Sequence, residues 1–112
     1  MIPKRNKLSR TTFPKHTDPK RTWTGSFLRI QSSFTKSTDH PLFAVVISKK
    51  IHASAVKRNQ LRRQIYTMIE IEQDAFQKQL GVKFVFFPLK KNGVVDIESI
   101  EKDIQSFIAQ LS

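Results

Sequence analysis

The chain of 112 residues contains no cysteine. This absence excludes a disulfide framework and any metal site built on thiolates, and it is typical of a reducing compartment. We therefore expect a cytoplasmic protein. The longest apolar runs, residues 43–47 and 84–87, are far too short to cross a bilayer. The basic N-terminus also lacks the apolar stretch of a signal peptide, so we expect neither a membrane span nor secretion.

Acidic side chains are scarce in the first half of the chain. Residues 1–63 hold 15 Lys and Arg against two acids, Asp18 and Asp39, whereas residues 64–112 hold 5 Lys against 7 acids. The net charge of +11 is therefore concentrated in the N-terminal half, and a field focused in this way attracts polyanions. We expect nucleic acid as the partner. An anionic membrane is the weaker alternative, because no predicted helix pairs a basic face with an apolar face.

The residues that a protein catalyst needs are also missing. A two-metal nuclease requires clustered carboxylates, but the acids of the basic half lie in turn-like contexts. The three histidines are far apart and lack metal-ligand spacing. No glycine-rich phosphate loop and no nucleophile motif is present. The sequence predicts a chain without catalytic or metal-binding residues of its own.

Hydrophobic patterning predicts one domain over residues 1–112, in which residues 1–22 form a basic, proline-containing arm with at most a short helix. After the arm the predicted order is β-β-α-β-α, with strands at residues 23–33, 42–48 and 82–89. We expect the first two strands to pair antiparallel and the second to be central. Ser54 is the predicted N-cap of a long helix that stops at Gly81, and Asp96 caps the final helix. The long helix between two strands indicates a parallel βαβ unit.

Residues 48–63 hold six Lys and Arg and no acid at the start of the long helix. Cations in a first turn oppose the helix dipole, whereas the free N–H groups there favour phosphate. Arg58 and Arg62 lie four residues apart on one edge, and Asn59 and Arg63 form the neighbouring stripe. We predict a patch that binds the RNA backbone; the alternative is a solvated face. For Asn59 the alternatives are a base edge, a 2′-hydroxyl, a hydrated metal held with RNA, or its own helix.

This block resembles the protein subunit of bacterial ribonuclease P. The matching residues are Ser48-Lys49-Lys50 at the strand exit, Arg58-Asn59-Gln60 and Arg62-Arg63 on the helix, and the opening Lys4-Arg5-Asn6-Lys7-Leu8. The chain departs from the family at Gln60, where an arginine is usual, and at His52-Ala53, where many members have a glycine. Pro14 and Pro19 make its first helix shorter than usual.

The resemblance implies an α+β fold, a two-layer α-β sandwich of order (short α)-β-β-α-β-α with a left-handed βαβ crossover. Physical reasoning alone favours a right-handed one. The resemblance further implies that the RNA subunit cleaves the phosphodiester and binds most of the Mg²⁺. The protein then binds ribonuclease P RNA and the single-stranded 5′ leader of precursor tRNA, with no obligate protein partner.

The resemblance also assigns candidate sites. The expected RNA contacts are Arg5, Lys7, Lys49, Lys50, Lys57, Arg58, Asn59, Gln60, Arg62 and Arg63. The expected leader cleft contains Phe13, Phe27 and Arg29; Phe43 is a further stacking candidate, with core packing as its alternative. The competing functions are a ribosomal or assembly-type RNA-binding module without a role in cleavage, a stand-alone nuclease, and a duplex-DNA binder.

Overall fold

The structure is a computed structural model that describes residues 20–34, 41–77 and 81–111. The predicted first helix and the candidate residues Arg5, Lys7 and Phe13 lie outside the described residues. Within the described part, no helix is long and apolar enough to span a membrane. The elements in chain order are β1 (Arg21–Thr24), β2 (Leu28–Phe34), β3 (Leu42–Val45), α1 (Ala55–Ile71), α2 (Gln73–Gln77), β4 (Val82–Pro88) and α3 (Ile97–Leu111).

The single strand predicted over residues 23–33 is in fact a hairpin of β1 and β2. The two strands pair antiparallel, with Trp23 opposite Ile30, and the Gly25 N–H donates to the Leu28 carbonyl at 2.8 Å. β1 begins at Arg21 and so overlaps the last two residues of the predicted arm, 21 and 22. The alternation of side chains continues on both sides of Gly25, so the pattern alone hid the turn.

The described strands form one sheet in the order β1-β2-β4-β3. The predicted antiparallel pairing of the first two predicted strands, which correspond to β2 and β3, is therefore wrong, because β4 lies between them, antiparallel to β2 and parallel to β3. β3 is an edge strand and not the predicted central one. β4 is buried on both faces, with Phe84 and Phe86 on one and Val85 on the other, which suits the interior of a sheet. The parallel β3–β4 pair, connected through α1, is the predicted βαβ unit.

The core lies between one face of the sheet and the apolar stripes of α1 and α3. Its most enclosed helical side chains include Ile65 and Ile69 from α1 and Ile100 and Ile104 from α3. Phe43 belongs to this core: it is only 1% exposed, and its ring centroid lies 5.2 Å from that of Phe76. Core packing is therefore the correct interpretation of Phe43, which has no free face for a base.

The helix predicted to run to Gly81 is interrupted at Glu72. The Glu72 N–H is shared between the carbonyls of Met68 and Ile69 at 3.3 and 3.1 Å, and α2 follows at once. No glycine or proline marks this position, so the cause is tertiary: Phe76 is fully buried and contacts the rings of Phe43, Phe84, Phe86 and Phe107. Gly81 has the positive φ of 70° expected just after a helix.

Both predicted N-caps are confirmed. The Lys57 N–H donates to Ser54 Oγ at 3.4 Å, and the Glu98 N–H donates to Asp96 Oδ1 at 3.1 Å. Between β4 and α3 the chain reverses through Asn92 and Gly93, whose φ angles of 51° and 76° fit a two-residue hairpin turn. This reversal brings the segment before α3 back along the side of α1.

Candidate nucleic-acid interface

The connection from β3 to α1 exposes two lysines beside the helix start. The Ser48 carbonyl accepts the N–H groups of Ile51 and His52 at 3.0 and 3.4 Å, which closes a turn over residues 48–51. Lys49 and Lys50 lie within this turn and are exposed. Their ammonium groups therefore stand free a few residues before the exposed N–H groups of the first turn of α1.

Arg58 fixes the same connection from the helix side. Its Nη1 donates to the carbonyl oxygens of His52 and Ala53 at 2.9 and 2.8 Å. The guanidinium of this predicted RNA-binding residue is thus partly engaged by its own backbone, although the side chain stays half-exposed. Arg58 holds the turn in place and still contributes positive charge at the helix start.

Arg62 and Asn59 form a second contact, directed toward the edge of the sheet. Arg62 Nη1 donates to Asn59 Oδ1 at 2.8 Å, and Arg62 Nε approaches the Val45 carbonyl of β3 at 3.5 Å. Tyr66, one turn further along, also bonds the Val45 backbone. Burial raises the pKa of the Tyr66 hydroxyl above its usual value of 10.0, against the opposing effects of the Val45 bond and the Arg62 charge. Arg62 and Tyr66 thereby cover part of the unpaired edge of β3, which hinders its pairing with a strand of another chain.

The predicted stripes on α1 are therefore arranged differently from expectation. Asn59 contacts Arg62, three residues on, whereas Arg63 is exposed. Lys57 and Gln60 are also exposed. No acid lies in the first turn of α1. The freely available cations of this region are Lys49, Lys50, Lys57 and Arg63.

The described residues do not provide a set of side-chain ligands for a metal ion. Within residues 20–34, 41–77 and 81–111, no group of three or more His, Asp or Glu side chains is placed to hold one. Asn59 is the amide that the sequence offers as a partner for a hydrated metal. Its side-chain oxygen already accepts from Arg62, and an adjacent guanidinium opposes cation binding.

Arg29 lies on the sheet face that points away from the helices. It is opposite Phe87 of β4, and its guanidinium carbon is 4.7 Å from the centre of the Phe87 ring. Arg29 Nε is buried and has no hydrogen-bond partner. Both side chains are half-buried, so this face offers a cation and an aromatic ring side by side. Val45 of β3 is opposite Phe86, next to Phe87, so the pair lies at the end of the sheet where the chain leaves for α1.

Phe27 lies at the turn of the β1–β2 hairpin and is held by residues that the sequence did not suggest. Its N–H donates to Asp103 Oδ2 at 2.7 Å, and Lys91 Nζ lies 5.6 Å from the centre of its ring. The ring itself packs partly against the core. Phe87 was missed as well, although the alternation of β4, with Phe84 and Phe86 buried, would have placed it on the opposite face.

Comparison with known proteins gives one family. The model of the family described as Ribonuclease P matches residues 2–112. No curated protein matches the chain. Among solved structures, the ribonuclease P protein of Thermotoga maritima has a TM-score of 0.68 at 15% identity, covering 83% of this chain and 84% of that one. A Staphylococcus aureus ribonuclease P protein mutant with defective mRNA degradation activity has a TM-score of 0.74 at 16% identity, with coverages of 96% and 90%.

Proposed function

The chain belongs to the ribonuclease P protein family, and from this premise we propose that it binds the catalytic RNA and the 5′ leader of precursor tRNA. In this proposal it assists removal of the leader, while the RNA performs the cleavage. The observation that carries the proposal is the group of free cations around a helix start that contains no acid, in a chain of net charge +11.

The start of α1 is suited to a phosphate backbone. Unpaired N–H groups and the positive end of the helix dipole favour anions there. Lys49, Lys50 and Lys57 add mobile ammonium groups, and Arg63 adds a planar fork that matches phosphate oxygens. Arg58 holds the turn before the helix in one conformation, so less conformational entropy is lost when RNA binds.

The opposite face of the sheet is suited to a single strand. A base stacks on an aromatic ring whatever its identity, and a neighbouring guanidinium binds the adjoining phosphate. Arg29 and Phe87 supply this pair at 4.7 Å. Arg29 Nε is buried, so the terminal nitrogens of the guanidinium are the donors that would contact the phosphate. We assign the leader contact to Arg29 and Phe87, with Phe27 and Lys91 beside the nearby hairpin turn.

The contribution of the protein to the reaction is electrostatic and positional. The residues around Asn59 do not fit a metal, so we propose that Mg²⁺ is held by the RNA and that no step passes through the protein. Lys and Arg side chains next to packed RNA reduce phosphate repulsion, which lowers the Mg²⁺ concentration needed for folding and substrate binding. The contact with Arg29 and Phe87 fixes the position of the leader relative to the RNA active site.

Maturation of a precursor tRNA at low Mg²⁺ by a bacterial ribonuclease P RNA tests the proposal. We expect this protein to stimulate cleavage when RNA is present and to be inert alone. The double variant Lys50→Ala/Arg63→Ala should stimulate much less, whereas the matched variant Lys90→Ala/Lys102→Ala should behave as the unchanged protein. Tight RNA binding without stimulation would favour an RNA-binding module without a role in cleavage. Cleavage by the protein alone would contradict the proposal.

A further inference from the structure

A groove lies beside α1, between the helix and the segment that leads into α3. Its volume is about 250 Å³, just below the roughly 300 Å³ at which pockets for drug-sized ligands begin. The floor is apolar, formed by the buried Leu61 and the half-buried Val95 and Ile97. A space of this size with an apolar floor suits one planar ring.

Side-chain amides form the rim of the groove. Gln60 and Gln64 are exposed and lie one helical turn apart on the same stripe of α1, with Lys57 one turn before Gln60. Neither glutamine amide is engaged by another residue in the described part of the chain. Each therefore presents a free donor and a free acceptor at the mouth of an apolar pocket.

The end of the groove is formed by His52, which is half-exposed. Its backbone is fixed because its carbonyl accepts from Arg58 and its N–H donates to Ser48. The imidazole therefore projects from a rigid turn and offers a flat surface for a ring. The groove opens beside the free cations of the helix start, so a polyanion bound there passes its mouth.

We propose that this groove holds one unpaired nucleobase, preferentially adenine, of the RNA bound by α1. The inference rests on the proposed function and adds a base-specific contact to it. A glutamine amide pairs with adenine through N6 and N7, and the two fused rings of a purine cover more of the apolar floor than the single ring of a pyrimidine. Leu61, Val95 and Ile97 contact the ring, and Lys57 reaches the adjoining phosphate. Lysine or arginine in place of Gln60 and Gln64 would bind phosphate equally in any sequence, whereas an amide pairs with the base itself.

Titration of the whole protein with short unstructured oligoadenylate and oligouridylate, followed by NMR, tests this inference. We expect oligoadenylate to shift the side-chain amide resonances of Gln60 and Gln64 and to bind about tenfold more tightly than oligouridylate. The variant Gln60→Ala/Gln64→Ala should bind both oligonucleotides equally. The matched variant Gln110→Ala, which removes an exposed amide from α3, should keep the preference.

The outcomes separate the inference from the proposed function. Equal, salt-dependent binding of both oligonucleotides, unchanged in Gln60→Ala/Gln64→Ala, would overturn the base contact and leave stimulation of the ribonuclease P RNA untouched. Failure of the unchanged protein to stimulate that RNA would instead overturn the proposed function. Shifts of the two glutamine amides with oligoadenylate, lost on substitution, would support the groove as the base site.

Discussion

Replacement of Asp103 with alanine is expected to destabilise the protein far more than loss of an exposed acid. Asp103 lies on α3 but is only 8% exposed, and its Oδ2 accepts the Phe27 N–H at 2.7 Å. This bond ties the C-terminal helix to the turn of the β1–β2 hairpin. Without the carboxylate the Phe27 N–H, which is partly buried, loses its acceptor.

The magnitude follows from the kind of bond that is lost. A hydrogen bond to a charged acceptor contributes about 1.5–3 kcal/mol to the free energy of unfolding. A loss of about 2 kcal/mol lowers the Tm of a domain of this size by about 8 °C. Thermal unfolding followed by circular dichroism measures the shift. Glu101→Ala is the control, since it removes the same charge from an exposed position of the same helix.

Gly25 provides a sharper test of the same contact. A Cβ at this position would lie 2.5 Å from Cγ of Asp103, so Gly25→Ala forces the carboxylate or the turn to move. We expect Gly25→Ala to be costly in the unchanged protein and much cheaper when Asp103 is already alanine. The double-mutant cycle should show a coupling of about 1 kcal/mol or more. Equal costs in both backgrounds, or an Asp103→Ala shift no larger than that of Glu101→Ala, would refute the reasoning.

Three further predictions concern the surface. Arg63→Ala should reduce the slope of log affinity against log salt by about one unit for ribonuclease P RNA, and Lys102→Ala should not; an unchanged slope would place Arg63 outside the interface. Phe87→Ala should weaken single-strand binding by about 1–3 kcal/mol. Phe34→Ala, which removes an exposed aromatic ring at the far end of β2, should have no effect in the same fluorescence titration. Tyr66 should titrate above 10.0 by ultraviolet absorbance. Because its folded pKa is raised, its contribution to stability is present below the unfolded value and lost as the pH rises through the folded one, a dependence that Tyr66→Phe should remove.

Features that depend on a few neighbouring residues could be predicted from the sequence. The caps at Ser54 and Asp96 each need only a side-chain oxygen and N–H groups two or three residues on. The apolar stripes of α1 and α3 follow from the helical period in the same way. The concentration of charge before residue 64 is likewise visible without any structure.

Features that depend on distant partners could not be predicted in this way. The order of the sheet depends on β4, which comes late in the chain and inserts between β2 and β3. Asp103 has the pattern of an ordinary helix acid, and only the arrival of the hairpin turn makes it a buried acceptor. Arg58 was identified correctly as a cation near a helix start, but its bonds to the preceding turn require the path of that turn to be known.

The basic residues of α1 and of the turn before it divide into two groups with different physical roles. Arg58 and Arg62 direct their guanidinium groups to backbone carbonyls and to Asn59, so they shape the turn and the sheet edge. Lys49, Lys50 and Arg63 remain exposed and make no such contacts with the residues that the structure describes. A patch made only of mobile side chains would lose rotamer entropy at every contact with RNA. The bound arginines keep the helix start and the turn in one arrangement, so the free cations meet the phosphate backbone from a surface that is already formed.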